Sequence, residues 1–215
     1  MYVHIDFRRG PYLRLLLDEI FGSDALLNEI VWAYALGGSS KTRYQRKHDN
    51  IFFYVREPGR HYFDAPKEAA TSSMLAGKPK LATDTWVTDG ADGDATLERD
   101  WPDELVRKTM SNRDPERTGY ATQKPLALAM RMVTASCPPG GTVFDPMCGS
   151  GTIGVAATLL GRNAVLNDRG DAALDVTRAR LLAAGGALDV ERIDDGPVPQ
   201  LMDERWAHKT AGGAR

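Results

Sequence analysis

Two acids and three glycines in the last third of the chain have the spacing of a nucleotide-type site. Asp145 and Pro146 precede the run Gly149-Ser150-Gly151-Thr152-Ile153-Gly154, and Asp168 follows 19 residues after Gly149. Glycine has no Cβ, so the backbone can turn sharply and a ligand can lie against it. The start of the helix behind such a loop offers unpaired N–H groups, and an acid at this distance can hold ribose hydroxyls. The bland reading of the same residues is a strand–helix turn made of small side chains for packing. Context favours the binding site. Gly141-Thr-Val-Phe144 reads as a buried strand, Ile153 to Leu160 as a helix, and Asn163 to Asn167 as a second strand ending at Asp168.

The position of Asp145 narrows the ligand. A carboxylate at that strand tip repels a pyrophosphate and suits a positive or amino-bearing group. S-adenosylmethionine carries a sulfonium and an α-amino group and no phosphate, so it is favoured. A dinucleotide such as NAD needs a second mononucleotide half, and roughly 60 residues remain after the loop. An NAD-dependent oxidoreductase is the weaker alternative.

A second group of residues suits nucleic acid. Lys41, Arg43, Arg46 and Lys47 interleave with Tyr44 after the glycine hinge Gly37-Gly38. Basic side chains meet phosphates and an exposed ring can stack on a base. A solvated charged loop explains the same residues. His4 and Asp6 stand at a strand end near the cleft, where a structural hydrogen bond is an equal reading. His61 and His208 lack metal-ligand spacing, and the chain has no Cys-x-x-Cys.

The elements that position these groups follow from pattern. Tyr2 to Asp6 alternates as a strand, and Leu13, Leu16, Leu17 and Ile20 recur at helical spacing up to Gly22. Asn28 to Tyr34 and Ile51 to Val55 read as strands. From Glu57 to Arg117 no period holds, and order is expected only around Trp86 and Trp101. Pro125 to Ala135 and Asp171 to Ala184 read as helices, Leu188 to Ile193 as a final strand, and the tail from Pro197 as poorly ordered. The implied organisation is an α/β core in two parts, residues 1–56 and 118–196, around a variable insertion at 57–117, with a tail at 197–215.

Composition sets bounds. With 215 residues and 42% hydrophobic content the chain can form one sizeable core. A net charge of −2 confines any nucleic-acid contact to a local patch. Two cysteines, Cys137 and Cys148, point to a reduced, cytoplasmic setting. No apolar run reaches the roughly 18 residues of a membrane span, and the N-terminus lacks the order of a signal peptide.

Several blocks together resemble a family. Tyr120-Ala-Thr-Gln-Lys-Pro-Leu-Ala-Leu128, Pro139-Gly-Gly-Thr-Val-Phe-Asp-Pro-Met-Cys-Gly-Ser-Gly-Thr152, and Gly161-Arg162 before the strand to Asp168 resemble the amino-methylating DNA methyltransferases. Their order is that of the permuted subgroup, which includes the modification subunits of type III restriction systems. Tyr2-Val-His-Ile-Asp6, Asn28-Glu-Ile-Val-Trp32, Arg46-Lys-His-Asp-Asn-Ile-Phe-Phe-Tyr54 and Glu116-Arg-Thr-Gly-Tyr120 agree with it. The resemblance implies a Rossmann-like S-adenosylmethionine-dependent methyltransferase sheet and methyl transfer to adenine N6 or cytosine N4. It assigns Thr122, Gln123, Lys124 and Pro125 to the methionine end of the cofactor. Asp145, Pro146, Gly149, Ser150, Gly151 and Thr152 fall to the loop beneath it, and Asp168 to the ribose. It also implies double-stranded DNA as partner, with residues 57–117 as target-recognition region, and a second copy or a restriction subunit as protein partner. Ala121 stands where the family usually has proline, and Asn167-Asp168-Arg169-Gly170 departs from the usual surroundings of the ribose acid.

One block is missing. The family's catalytic tetrapeptide, of Asp-Pro-Pro-Tyr type, lies before the strand that corresponds to Tyr2–Asp6, and no Pro-Pro-Tyr, Pro-Pro-Phe or Pro-Pro-Trp occurs in this sequence. In the family that motif accepts the hydrogens of the target amine and stacks on the flipped base. Its strand lies mid-sheet, so its absence implies two strand edges with unpaired groups. Three outcomes are expected: the neighbouring strands close up, another chain supplies the strand, or these residues are the C-terminal portion of a longer reading frame, which is the favoured one. A catalytically inactive remnant that binds cofactor or DNA is the alternative function.

Overall fold

The computed structural model describes residues 1–33, 40–69, 79–87, 110 and 114–189. Strand β1 (Tyr2–Ile5) leads into helix α1 (Gly10–Phe21). Asp6 makes the turn: its backbone carbonyl accepts from Arg9 and Gly10, and its carboxylate accepts from Arg8 N at 2.8 Å. Pro11 stands in the first turn of α1, where its missing N–H costs no intrahelical bond. Strands β2 (Leu26–Ala33) and β3 (His48–Tyr54) follow. β1 and β2 both pair antiparallel with β3, which begins at His48 rather than at Ile51 because the ladder runs on to Ala33↔His48.

Successive strand side chains point to opposite faces, and β3 is covered on both. Ile51 and Phe53 pack with Ile30, Trp32, Val55, Trp86 and Leu128. Phe52 and Tyr54 pack on the other face with Leu17 of α1 and Ala25. Burial on both sides explains why β3 is a continuous apolar run instead of an alternation.

The irregular stretch contributes to this sheet. Strands β4 (Lys67–Ala69) and β5 (Pro79–Leu81) form a separate hairpin, while β6 (Thr85–Val87) pairs parallel with β2 and buries Trp86. Trp101, Gly37, Gly38 and the tail from Pro197 lie outside the described residues. Of the strand expected at Leu188–Ile193, Leu188 and Asp189 are irregular and residues 190–193 lie outside the description.

Helix α2 (Leu126–Ser136) joins the two halves. Leu128 and Met132 face the four-stranded sheet, while Ala129 and Val133 meet Ala156 of helix α3 (Thr152–Leu159). Strand β7 (Thr142–Asp145) pairs parallel with β8 (Asn163–Leu166), and helix α4 (Asp171–Ala183) follows. A Cβ on Gly154 would collide with Leu166, so glycine permits the close approach of α3 to β8. The expectation of a fully buried β7 needs correction. Val143 is packed against the helices, but Phe144 is 67% exposed, because among the described residues only one face of this pair is covered.

The sheet is in two pieces, β1-β3-β2-β6 and β7-β8. Among the described residues β1 pairs only with β3 and β7 only with β8. Of the three outcomes expected for an absent middle strand, closure of its two neighbours does not occur.

Candidate functional site

The two strand tips are laced together by backbone. Asn167 N–H donates to Asp145 O and Cys148 N–H to Asn167 O, each at 2.9 Å. Asp145 turns its own carboxylate back to Met147 N–H at 3.1 Å. Burial pushes the Asp145 carboxyl above the usual range; the Met147 bond opposes this and the nearby Asp168 charge adds to it.

Asp168 organises the glycine loop. One carboxylate oxygen accepts Gly149 N–H at 2.9 Å and the other accepts Gly170 N–H at 2.9 Å. Each oxygen keeps a lone pair for a further donor. Gly149 (φ 54°) and Gly151 (φ 72°) both adopt left-handed backbone, which side chains disfavour. A Cβ on Gly151 would also lie 2.6 Å from Thr177, and one on Gly149 3.2 Å from the Tyr120 ring. Thr177 Oγ1 donates to Gly149 O at 3.0 Å and so fixes the loop from α4.

The second loop, Thr122–Pro125, is held from inside. Gln123 is buried; its Nε2 donates to Glu116 O at 2.7 Å and its Oε1 accepts from Thr118 N and Oγ1. Thr152 Oγ1 donates to Lys124 O at 3.3 Å, which joins the two loops. Burial lowers the Lys124 pKa, opposed by the charge of Asp49 on β3. Pro125 caps α2 with extended backbone.

The residues expected at a cofactor site therefore sit on two adjoining loops, with different duties. Gln123, Ser150 and Thr152 are buried: Gln123 is spent on Glu116 and Thr118 behind its own loop, Ser150 on Thr152 within the glycine loop, and Thr152 on the bond across to Lys124. Thr122 and Pro146 are exposed, and Asp145 and Asp168 are half-buried at adjacent strand tips. Sequence reasoning missed the groups behind the loops: Glu116, Tyr120, Thr177 and Arg180. Thr177 had a signal, since it shares the four-residue spacing of buried Ala173 and Leu181 on α4.

The basic loop lies at the carboxyl end of β1. Arg46 stacks over the Phe7 ring at 3.9 Å. Tyr44 is 98% exposed, Lys41 and Arg43 are exposed, and Lys47 is half-buried. His4 is engaged structurally, 3.0 Å from Asp49 Oδ2 and edge-on to Trp32, and Asp6 is paired with Arg8. Among the described residues no group of three His, Cys, Asp or Glu could hold a metal ion, and no helix is long and apolar enough to cross a membrane.

Known proteins match this arrangement. A family model described as DNA methylase matches residues 1–178. The type II methyltransferase M.ScaI of Streptomyces caespitosus is 28% identical over 178 residues, which is 76% of this chain and 52% of that protein. The DNA adenine methyltransferase YhdJ of Escherichia coli (strain K12) is 29% identical over 168 residues, 75% of this chain and 53% of YhdJ. The chain thus spans about half the length of the curated relatives it matches. Among solved structures, the M1.HpyAVI–SAM complex superposes with a TM-score of 0.56 at 20% identity, over 84% of this chain and 73% of that one. The cytosine-N4-specific PvuII DNA methyltransferase gives 0.51 at 9% identity, over 86% and 58%. At these identities the superpositions establish the fold, a Rossmann-like methyltransferase sheet present here in two pieces.

Proposed function

The chain belongs to the DNA methylase family, and from that premise we propose that it holds the S-adenosylmethionine site of an enzyme that methylates an exocyclic amine of DNA, adenine N6 or cytosine N4. The observation that carries the ligand assignment is the pair of acids at adjacent strand tips, Asp145 and Asp168, with Gly149 N–H bound to Asp168. A half-buried acid pair is a poor seat for a pyrophosphate and a good one for a cation and a diol. Arg180, the cation beneath the loop, is already spent on Ser150 and Thr152 and cannot neutralise a phosphate above it.

When bound, S-adenosylmethionine supplies an electrophilic methyl group. In this reading Asp168 receives the ribose hydroxyls with the lone pairs its backbone bonds leave free. Asp145 faces the positive end of the ligand, and Gly149 and Gly151 give it room. The basic loop at the β1 tip meets DNA phosphates through Lys41, Arg43, Arg46 and Lys47, with Tyr44 free to stack. Residues 57–117 are the target-recognition region, between the two core parts at 1–56 and 118–196. Orientation of the target amine falls to an Asp-Pro-Pro-Tyr type tetrapeptide, which is not among the 215 residues.

Calorimetry with S-adenosylhomocysteine and with NAD tests the ligand. Binding of the first and not of the second is expected; the reverse would overturn the reading. Tritiated methyl transfer to mixed-sequence DNA is expected at background from these residues alone. Label on the DNA would refute the assignment of amine orientation to the tetrapeptide.

A further inference from the structure

Arg180 is a charged side chain that the proposed chemistry does not use, and it is 12% exposed. Burial lowers its pKa, while the Glu116 carboxylate opposes this. A buried cation needs acceptors, and these come from both loops of the candidate site. Nη1 donates to Ser150 O at 2.7 Å and to Thr152 Oγ1 at 2.9 Å, with Ser150 Oγ at 3.3 Å. Nη2 lies 3.5 Å from Glu116 Oε1. That same Glu116 oxygen accepts Leu126 N–H in the first turn of α2 at 2.8 Å, and Glu116 O accepts from Gln123. One guanidinium on α4 therefore reaches the glycine loop directly and the Thr122–Pro125 loop through Glu116.

We propose that Arg180 is a positioning residue for cofactor binding, and that with Glu116 it sets the spacing between the glycine loop and the Thr122–Pro125 loop. The proposal rests on the S-adenosylmethionine reading given above. The chemistry requires arginine rather than any cation. Its planar fork holds a carbonyl and a hydroxyl with one nitrogen and a carboxylate with the other, and an ammonium cannot span them. Removing it takes a donor from Ser150 O and the opposite charge from beside Glu116 in a half-buried site.

The test is S-adenosylhomocysteine affinity by calorimetry, with thermal midpoints measured in parallel, for the whole chain and for Arg180→Met, Arg180→Lys, Glu116→Gln and the Arg180→Met/Glu116→Gln pair. Arg180→Met is expected to weaken affinity about tenfold or more. Arg180→Lys should recover only part. The pair should be within about twofold of Arg180→Met alone, because both substitutions break one connection. Methylguanidinium added to Arg180→Gly should restore affinity well below that variant's thermal midpoint, where the fold is already intact, and no recovery there overturns the proposal. Wild-type affinity in folded Arg180→Met overturns the proposal. Wild-type affinity in Glu116→Gln does so if Arg180→Met fails to fold, and so does a fully additive loss in the pair. If the unaltered chain does not bind S-adenosylhomocysteine, the functional reading falls and this inference with it. If it binds and the variants match it, only this inference falls.

Discussion

The two sheets of this chain are held by different means. In the four-stranded sheet β3 is covered on both faces, and Ile51, Phe52 and Tyr54 are essentially without solvent contact. In the β7-β8 pair one face meets α2 and α3, while Phe144 and Val165 are 67% and 55% exposed on the other. Apolar area removed from water stabilises the first. The second keeps its shape through backbone bonds between strand tips, left-handed glycines and a buried guanidinium. The contrast separates stability from positional precision. Substitutions in the first sheet should lower stability and spare the affinity of molecules that remain folded. Substitutions around the second should do the opposite.

The largest expected effect lies in the packed sheet. Phe53 is 4% exposed and stacked on Tyr2, with ring centroids 4.5 Å apart. Phe53→Ala is expected to cost about 3–5 kcal/mol in urea unfolding, with S-adenosylhomocysteine affinity unchanged in the folded fraction. A large affinity loss at unchanged stability would break the division.

Gly151→Ala comes next, from the other side of the comparison. The new Cβ meets both a disfavoured φ of 72° and Thr177. Left-handed strain alone costs roughly 1–2 kcal/mol, and relief requires the loop to move. Cofactor affinity is therefore expected to fall more steeply than stability, measured by calorimetry and thermal melting on the same sample.

Asp145→Asn should move the two properties in opposite directions. Burial raises the Asp145 pKa in the folded chain above its unfolded value. A group so shifted contributes stability that is present below the unfolded pKa and lost as pH rises through the folded one. At neutral pH the ionised carboxylate is therefore a cost, and the neutral amide removes it while its oxygen can still accept Met147 N–H. A small rise in thermal midpoint is expected at pH 7, vanishing under acid conditions, together with weaker binding of S-adenosylmethionine. A lower midpoint at pH 7 would show that the charge supports the fold.

The sequence was most legible where the information is local. The spacing of Asp145, Gly149, Gly151 and Asp168 lies within one strand–loop–helix–strand unit, so glycine and acid positions alone marked out that unit, and the bond from Gly149 N–H to Asp168 is what the structure adds. The helical spacing of Leu13, Leu16, Leu17 and Ile20 likewise gave α1, but only Leu13 and Leu17 pack beneath the sheet, while Leu16 and Ile20 are exposed. What stayed hidden depends on distant pairing. Arg180 lies in a helix rich in alanine and leucine, and nothing near it signals that Glu116 and Ser150 are its partners. The parallel pairing of β6 with β2 comes from a short run without alternation, where tertiary contact overrides local pattern.

Phe144 misled the sequence reading for the same reason, and it supplies the smallest and most discriminating prediction. Thr142-Val-Phe-Asp145 has the composition of a buried strand, yet burial of a strand face is decided by what lies across it, which the strand itself does not encode. Phe53 and Phe144 are the same side chain on two strands of one chain, 4% and 67% exposed. With its ring largely in solvent, Phe144→Ala should change unfolding free energy by no more than about 0.5 kcal/mol, against the several expected of Phe53→Ala. Urea titrations of the two variants side by side measure the difference directly. Equal losses would mean that the outer face of β7-β8 is covered in solution, and the contrast between a packed sheet and an open one would then give way to two packed ones.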